Sequence, residues 1–339
     1  MRAIVVKRPG GYDQLICENV EEPACGDEDV IVSVLKAGVN YADCLVRLGL
    51  YKSAKDQSRY PITPGFDFAG IIERIGKGVS SLKPGDRVFG VTLFGAYQER
   101  ISIHHRYVRV IPPSIDFAGA ASLPTAFLTA SYILNDLAHI RSGESLLIRS
   151  IGGGVGSWLA LLAKRLGVNF KGTVSTLEKR AEVAGRVGGS HVLLESEIKG
   201  EDRYDVIANA KGGSSISFDL KLLNPRGRLV LYGFHGMVNT SRKGRLTPLS
   251  WFRLGYELFR TPHLHPFDLV NKNRSVLGFN LSYLFHEVQR YEAAMDELQE
   301  ILSSEHEIPP VTEFPLSDVA KAHQLLESGR SVGKIVLSM

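Results

Sequence analysis

ESLLIRSIGGGVGSWLALLAKRLG, residues 144–167, places a short apolar run, a glycine-crowded turn and a helical face in immediate succession. Leu146, Leu147 and Ile148 read as a buried strand. Gly152, Gly153, Gly154 and Gly156 break regular backbone around Val155, and from Trp158 the apolar residues Leu159, Leu162, Ala163 and Leu166 recur at helical spacing until Gly167 offers a stop. A turn this tight lets a diphosphate approach main-chain N–H groups at a helix N-terminus, where unpaired donors and the positive dipole end favour an anion. The fingerprint G-x-G-x-x-G is imperfect, with Ile151 in the first glycine place and Gly153 and Gly156 in the second and third. The turn therefore reads either as a dinucleotide site or as a purely structural bend.

Working outward, the strand-like segments LLIRS, FKGTVS, HVLLE, YDVIANA and RLVLYGF alternate with helical stretches, which implies a parallel sheet with crossover helices. The run SVLGFNLSYLF reads as a further strand, and the helix expected from about His286 to Leu302 follows it. Upstream, from Met1 to about Asp116, strands and glycine or proline turns dominate, with one helix near Tyr41 to Leu48 after the Asn40 turn. Phe117 to Ala138 reads as helical. The tail supplies VTEFPL, a helix over 317–328 and GKIVLSM, a strand, helix and strand that return to the first domain. Between Asn239 and Asn273, basic residues alternate with Trp251, Phe252, Tyr256, Phe259 and Phe267. That insert is either a helix packing its apolar face on protein or a basic amphipathic element in peripheral contact with an anionic membrane.

A chain of 339 residues, 44% of them hydrophobic, can bury a large core and suggests two domains or one large one. Its net charge of +4 comes without a long Lys/Arg run and gives no footing for nucleic acid. Cys17, Cys25 and Cys44 cannot all pair and lack C-x-x-C spacing, which points to a reducing compartment. The start MRAIVV is strand-like with no signal-peptide core, and the uncharged run Ser150 to Ala163 is 14 glycine-rich residues. The expectation is a cytoplasmic protein.

The stretches GVNYADCLVRLGLY (38–51), PGFDFAGIIERIGKGVSSLKPGDRVFG (64–90), GAYQER (95–100), IGGGVG, GTVSTLEKR (172–180) and SVGKIVL, in this order, resemble the medium-chain dehydrogenase/reductase superfamily. Within it they are similar to the zinc-independent quinone oxidoreductase, zeta-crystallin-like branch, and NKNRSVLGFNLSYL with the insert before it is similar to the vesicle amine transport protein homologues. The resemblance implies a GroES-like β domain (1–118 and 305–339) and a Rossmann domain (119–304, carrying the insert 239–273), with NADPH in the cleft. It also implies a homodimer formed through the last Rossmann strand, about Val276 to Tyr283. Leu161, Glu195, Asn209 and Lys211 depart from the family pattern, as Ile151 does.

The resemblance puts Asn40 in the zinc enzymes' cysteine position and Phe66 in their histidine position. Neither side chain supplies a thiolate or imidazole, so no zinc is expected. The His104-His105 pair and His263/His265 are ligands by type only, without visible acid or cysteine partners. Hydride would then go to an electron-poor quinone or conjugated enone whose developing oxyanion needs hydrogen-bond donors. Asn40 and Tyr51 match positions lining the nicotinamide pocket, and Asn40 reads equally as a helix cap. Tyr41, Arg47 and Lys211 are further pocket candidates. On the coenzyme side, Thr129, the Gly152–Gly156 turn, Phe279, Asn280 and Leu281 are carried over. Ser175, Thr176 and Lys179 stand about where an NAD enzyme places an acid, and small hydroxyls with a cation favour NADPH over NADH, Glu178 being the competing signal. Lys334 is a candidate second phosphate contact.

Overall fold

Along the residues that the computed structural model describes (1–57, 59–304 and 308–339), the strands in order are β1 (Arg2–Val5), β2 (Ile16–Asn19), β3 (Asp29–Val39), β4 (Asp67–Ile75), β5 (Arg87–Val91), β6 (Arg100–His104) and β7 (Val108–Val110). There follow β8 (Ser145–Ile148), β9 (Asn169–Val174), β10 (Val192–Leu194), β11 (Tyr204–Asn209), β12 (Leu223–Leu231) and β13 (Ser275–Gly278), and finally β14 (Val311–Pro315) and β15 (Lys334–Ser338). They divide between two units, Met1–Leu128 with Arg242–Arg245 and Leu281–Met339, and Thr129–Ser241 with Leu246–Asn280.

The first unit is a β-rich, GroES-like domain. Its main sheet runs β14-β15-β3-β4-β5-β7, with β6 also on β3, and β1 and β2 form a separate pair. Alternation shows why one face is buried: in Arg100–His104, Ile101 and Ile103 point into a core with Phe68, Val88, Val32 and Leu337, while Arg100 and Ser102 stay at the surface. The helix Val288–Ser304 belongs with this unit, where its Tyr291 hydroxyl donates to the Tyr107 carbonyl at 3.0 Å and Asp296 pairs with Arg109 at 2.7 Å. The boundary expected at 304/305 abuts residues 305–307, outside those described.

In the second unit every strand pair is parallel and the order is β10-β9-β8-β11-β12-β13. Numbered along the chain this is 3-2-1-4-5-6, the doubly wound Rossmann order, whose switch point lies between β8 and β11. The central strands read as unbroken apolar runs because helices cover both faces; Leu146, Leu147, Ile148, Val206, Ile207 and Ala208 are fully buried. Two expected elements differ. The stretch 117–138 breaks into helices Phe117–Ala121 and Pro124–Ser131 and a widened turn over Tyr132–Leu137, since Pro124 has no N–H to continue the first helix. The last strand stops at Gly278, short of Tyr283, as Phe279 turns to stack on Tyr132 and Leu281–Tyr283 coils.

Candidate functional site

In the second unit the glycine turn leaves β8 at the switch point. Ser150 takes the left-handed conformation (φ 66°), Gly153 N–H closes on the Ser150 carbonyl at 3.1 Å, and the helix Gly154–Arg165 begins. The glycines have different reasons. At Gly156 a Cβ would lie 2.3 Å from the Ser150 oxygen, so packing of turn on helix forbids one. Gly153 has ordinary extended backbone (φ −84°), and a Cβ there would meet nothing closer than the Ser150 oxygen at 3.5 Å. Neither strain nor packing accounts for that glycine, and its bare backbone leaves the turn open to close approach. No side chain caps the helix start among the described residues, which leaves its first N–H groups for an anion. Ile151 is no obstacle: it is fully buried, filling the space over Gly172, where a Cβ would lie 2.4 Å from its own.

The segment after β9 gives the helix Leu177–Val187 its cap, the Thr176 hydroxyl accepting from Lys179 N–H at 3.3 Å, while Ser175 is exposed. Glu178 folds back on the helix start, its own N–H and then the Thr176 hydroxyl holding its carboxyl below the usual range. The Lys179 ammonium is half-buried, and burial lowers its pKa. Asn209, unexpected at the end of β11, is a buried turn-former: its Oδ1 accepts from the N–H groups of Lys211 (2.7 Å) and Gly212 (2.9 Å), and its Nδ2 donates to Asp219 (2.6 Å). Lys211 pairs with Glu195, so two departures from the family pattern meet. Thr129 is buried in its helix, and Phe279 and Asn280 are half-buried just past β13.

In the first unit Asn40 ends β3 and starts the helix Tyr41–Leu48. The capping bond runs from Asn40 N–H to Asp43 (2.8 Å), so the Asn40 amide is turned elsewhere. Its Nδ2 donates to Asp67 (2.9 Å) and its Oδ1 accepts from Lys334 Nζ (2.5 Å). Asp67 also accepts from Thr125 N–H at 2.9 Å and from the Thr125 hydroxyl. Asp43 accepts from Gly65 N–H and the Tyr97 hydroxyl, yet burial pushes its pKa up to about 7. The neighbouring Phe66 ring lies between Tyr51 (centroids 5.9 Å) and Phe94 (5.2 Å). The Phe66-Asp67 dipeptide thus brings Asn40 and Tyr51 to one place, and Phe66 and Asp67 hold it together.

Two assignments change. Lys334 is 5% exposed, and its ammonium donates to Val39 O, Asn40 and Asp67 rather than reaching for a coenzyme phosphate. Arg47 is fully buried, paired with Glu327, donating to Gly244 O (2.9 Å) and stacked on Tyr12, so it lines no pocket. Tyr41 is half-buried, and burial raises its phenol far above its ordinary range. Leu281 opens a helical turn in this unit. The His104-His105 pair does have an acid neighbour, Glu28, 3.4 Å from His105, with potential donor atoms of all three within 4.8 Å of one another. His263 and His265 are exposed.

The chain matches two family models, an alcohol dehydrogenase GroES-like domain over residues 26–113 and a zinc-binding dehydrogenase over residues 189–337. It is 30% identical to the synaptic vesicle membrane protein VAT-1 homolog of Homo sapiens, over 99% of this chain and 86% of that protein. It is 31% identical to the quinone oxidoreductase of Lama guanicoe, over 99% of this chain and 97% of that one. Among solved structures it is similar to Escherichia coli quinone oxidoreductase complexed with NADPH, with a TM-score of 0.83, 25% identity and all of both chains covered.

Proposed function

The chain belongs to the medium-chain dehydrogenase/reductase superfamily, and from that membership we propose a zinc-independent, NADPH-dependent oxidoreductase acting on quinones or α,β-unsaturated carbonyls. The observation that carries the reading is Gly153, a glycine at the switch point of the parallel sheet with no reason from packing or strain to be one. The Gly152–Gly156 turn would hold the diphosphate, and Lys179 with Ser175 the adenosine end. Bound NADPH supplies the hydride.

The chain's own part lies with Asn40 and its neighbours. One N–H of the Asn40 amide is directed at Asp67, and the second is left to donate to an acceptor oxygen. The Lys334 ammonium on Asn40 Oδ1 polarises that amide and strengthens the donor as negative charge develops on the acceptor. Tyr51 supplies a hydroxyl for the proton. Asn40 and Phe66, in the positions of zinc ligands, cannot hold the metal, so the reading favours acceptors that need no Lewis acid. The unpaired edge of β13 is where a second copy would add. The test is nucleotide titration of the folded protein, then NADPH oxidation across quinones, enones and aldehydes. Binding of neither nucleotide ends the proposal.

A second reading, a nucleotide-binding protein that works by membrane or partner contact, is favoured by the helices Pro248–Arg260 and Pro266–Lys272. Leu249 (75% exposed), Phe252 (73%) and Phe259 (84%) face away from the unit. Residues 239–273 carry six lysines and arginines against two acids, a balance of +4 equal to the net charge of the whole chain. No described helix is long and apolar enough to cross a membrane, and basic amphipathic helices bind at the interface. Liposome sedimentation with and without anionic lipid decides; absence of salt-sensitive binding removes this reading.

A further inference from the structure

Glu195 and Lys211 look unrelated in the sequence, and each alone is awkward beside an anionic coenzyme. Glu195 leaves the carboxyl end of β10, and Lys211 stands two residues past the carboxyl end of β11. Strands β9 and β8 lie between those two in the sheet, so the Glu195–Lys211 ion pair passes over their carboxyl ends. Those are the ends from which the Gly152–Gly156 turn and the Ser175–Lys179 segment emerge, on the edge where open parallel sheets bind ligands.

The position is built. Asn209 clamps the N–H groups of Lys211 and Gly212, and Gly212 and Gly213 both take left-handed backbone (φ 69° and 58°) that returns the chain sharply. Lys179 is half-buried with no ion-pair partner among the described residues. The half-buried His235 ring feels all three charges: burial first, and then the Lys211 ammonium, holds its pKa low, while Glu195 and Lys179 act on it in opposite senses. Two lysines and one carboxylate leave one net positive charge at this edge. Without Lys211 the balance falls to zero and exposes a carboxylate, which would repel a phosphate monoester and accept bonds from ribose hydroxyls.

We propose that Lys211 and Lys179 together bind the monoester phosphate on the adenosine ribose, and that the Glu195–Lys211 pair sets this chain's preference for the phosphorylated coenzyme. The inference rests on the coenzyme reading above and assigns its specificity. Lys211 neutralises Glu195 in the wild type; with Lys211 gone, Glu195 turns the site toward the unphosphorylated ribose.

The experiment measures calorimetric affinity of the full-length protein for 2′,5′-ADP and 5′-AMP, with melting temperature as a folding control. Wild type binds 2′,5′-ADP more tightly. Lys211→Ala weakens 2′,5′-ADP by about tenfold or more, the worth of one charge pair, and leaves 5′-AMP within about twofold. Lys211→Arg keeps the preference, and adding Glu195→Gln to Lys211→Ala recovers most of the loss. Equal weakening of both fragments, no recovery in the double variant, or equal wild-type affinities overturn the assignment while coenzyme binding and NADPH oxidation by wild type still stand. Wild type that binds neither fragment nor NADPH overturns the coenzyme reading itself.

Discussion

Replacing Lys334 with methionine distinguishes the buried role seen in the first unit from a role at the coenzyme. The side chain keeps most of its volume and loses its charge. In the wild type the ammonium lies 3.4 Å from Asp67 Oδ2 and 2.5 Å from Asn40 Oδ1. At an effective dielectric of about 20, Coulomb's law gives roughly 5 kcal/mol for charges at that separation from Asp67. Asp67 keeps its bonds from Thr125 N–H, the Thr125 hydroxyl and Asn40, so some of the loss is offset. Removing one partner of a buried pair costs about 3–5 kcal/mol. For a unit of this size that is a fall in melting temperature on the order of 10 °C. Asp67→Asn added to Lys334→Met should recover part of it, because the stranded charge is gone. Thermal unfolding by circular dichroism reads the stability, and titration with NADPH and NADH reads the coenzyme. A variant that melts within about 2 °C of wild type but loses NADPH affinity selectively over NADH would refute the buried role and restore Lys334 to the phosphate.

Further outcomes follow from the same network and from the glycine turn. Asp43, with its folded pKa raised to about 7, binds its proton more tightly in the native state than in the unfolded chain, where the value is near 3.8. Its stabilising contribution is therefore complete below about pH 4 and lost as pH rises through 7, on the order of 4 kcal/mol in all. Asp43→Asn should flatten the fall in stability between pH 5 and pH 8; an unchanged slope in urea melts would remove Asp43 as its source. Gly156→Ala should destabilise by about 1–3 kcal/mol through overpacking against the Ser150 carbonyl. Gly153→Ala should leave stability within about 0.5 kcal/mol of wild type yet weaken dinucleotide binding by about tenfold, a factor worth 1.4 kcal/mol. If Gly153→Ala binds NADPH as wild type does, the turn is only structural. Cys44 is fully buried, and burial raises its thiol well above the usual value, so a thiol reagent should modify exposed Cys17 and half-buried Cys25 and reach Cys44 only on unfolding.

Residues 144–167 by themselves determined that a strand, a glycine turn and a helix succeed one another, because hydrophobic period and glycine placement act over short range. The alternation that follows them determined a parallel sheet, and the residue types at 40 and 66 determined that those positions offer no zinc ligand. Only the tertiary structure decided which departures matter. Ile151 is harmless because Gly172, on the neighbouring strand, leaves space for it, and Asn209 is satisfied because Lys211, Gly212 and Asp219 surround it. Lys334 and Asn40 lie 294 residues apart and share a hydrogen bond, and Glu195 finds Lys211 across two strands. The reason is physical: a side chain's charge and shape are written at its own position, but whether they are compensated depends on partners that folding brings from far along the chain.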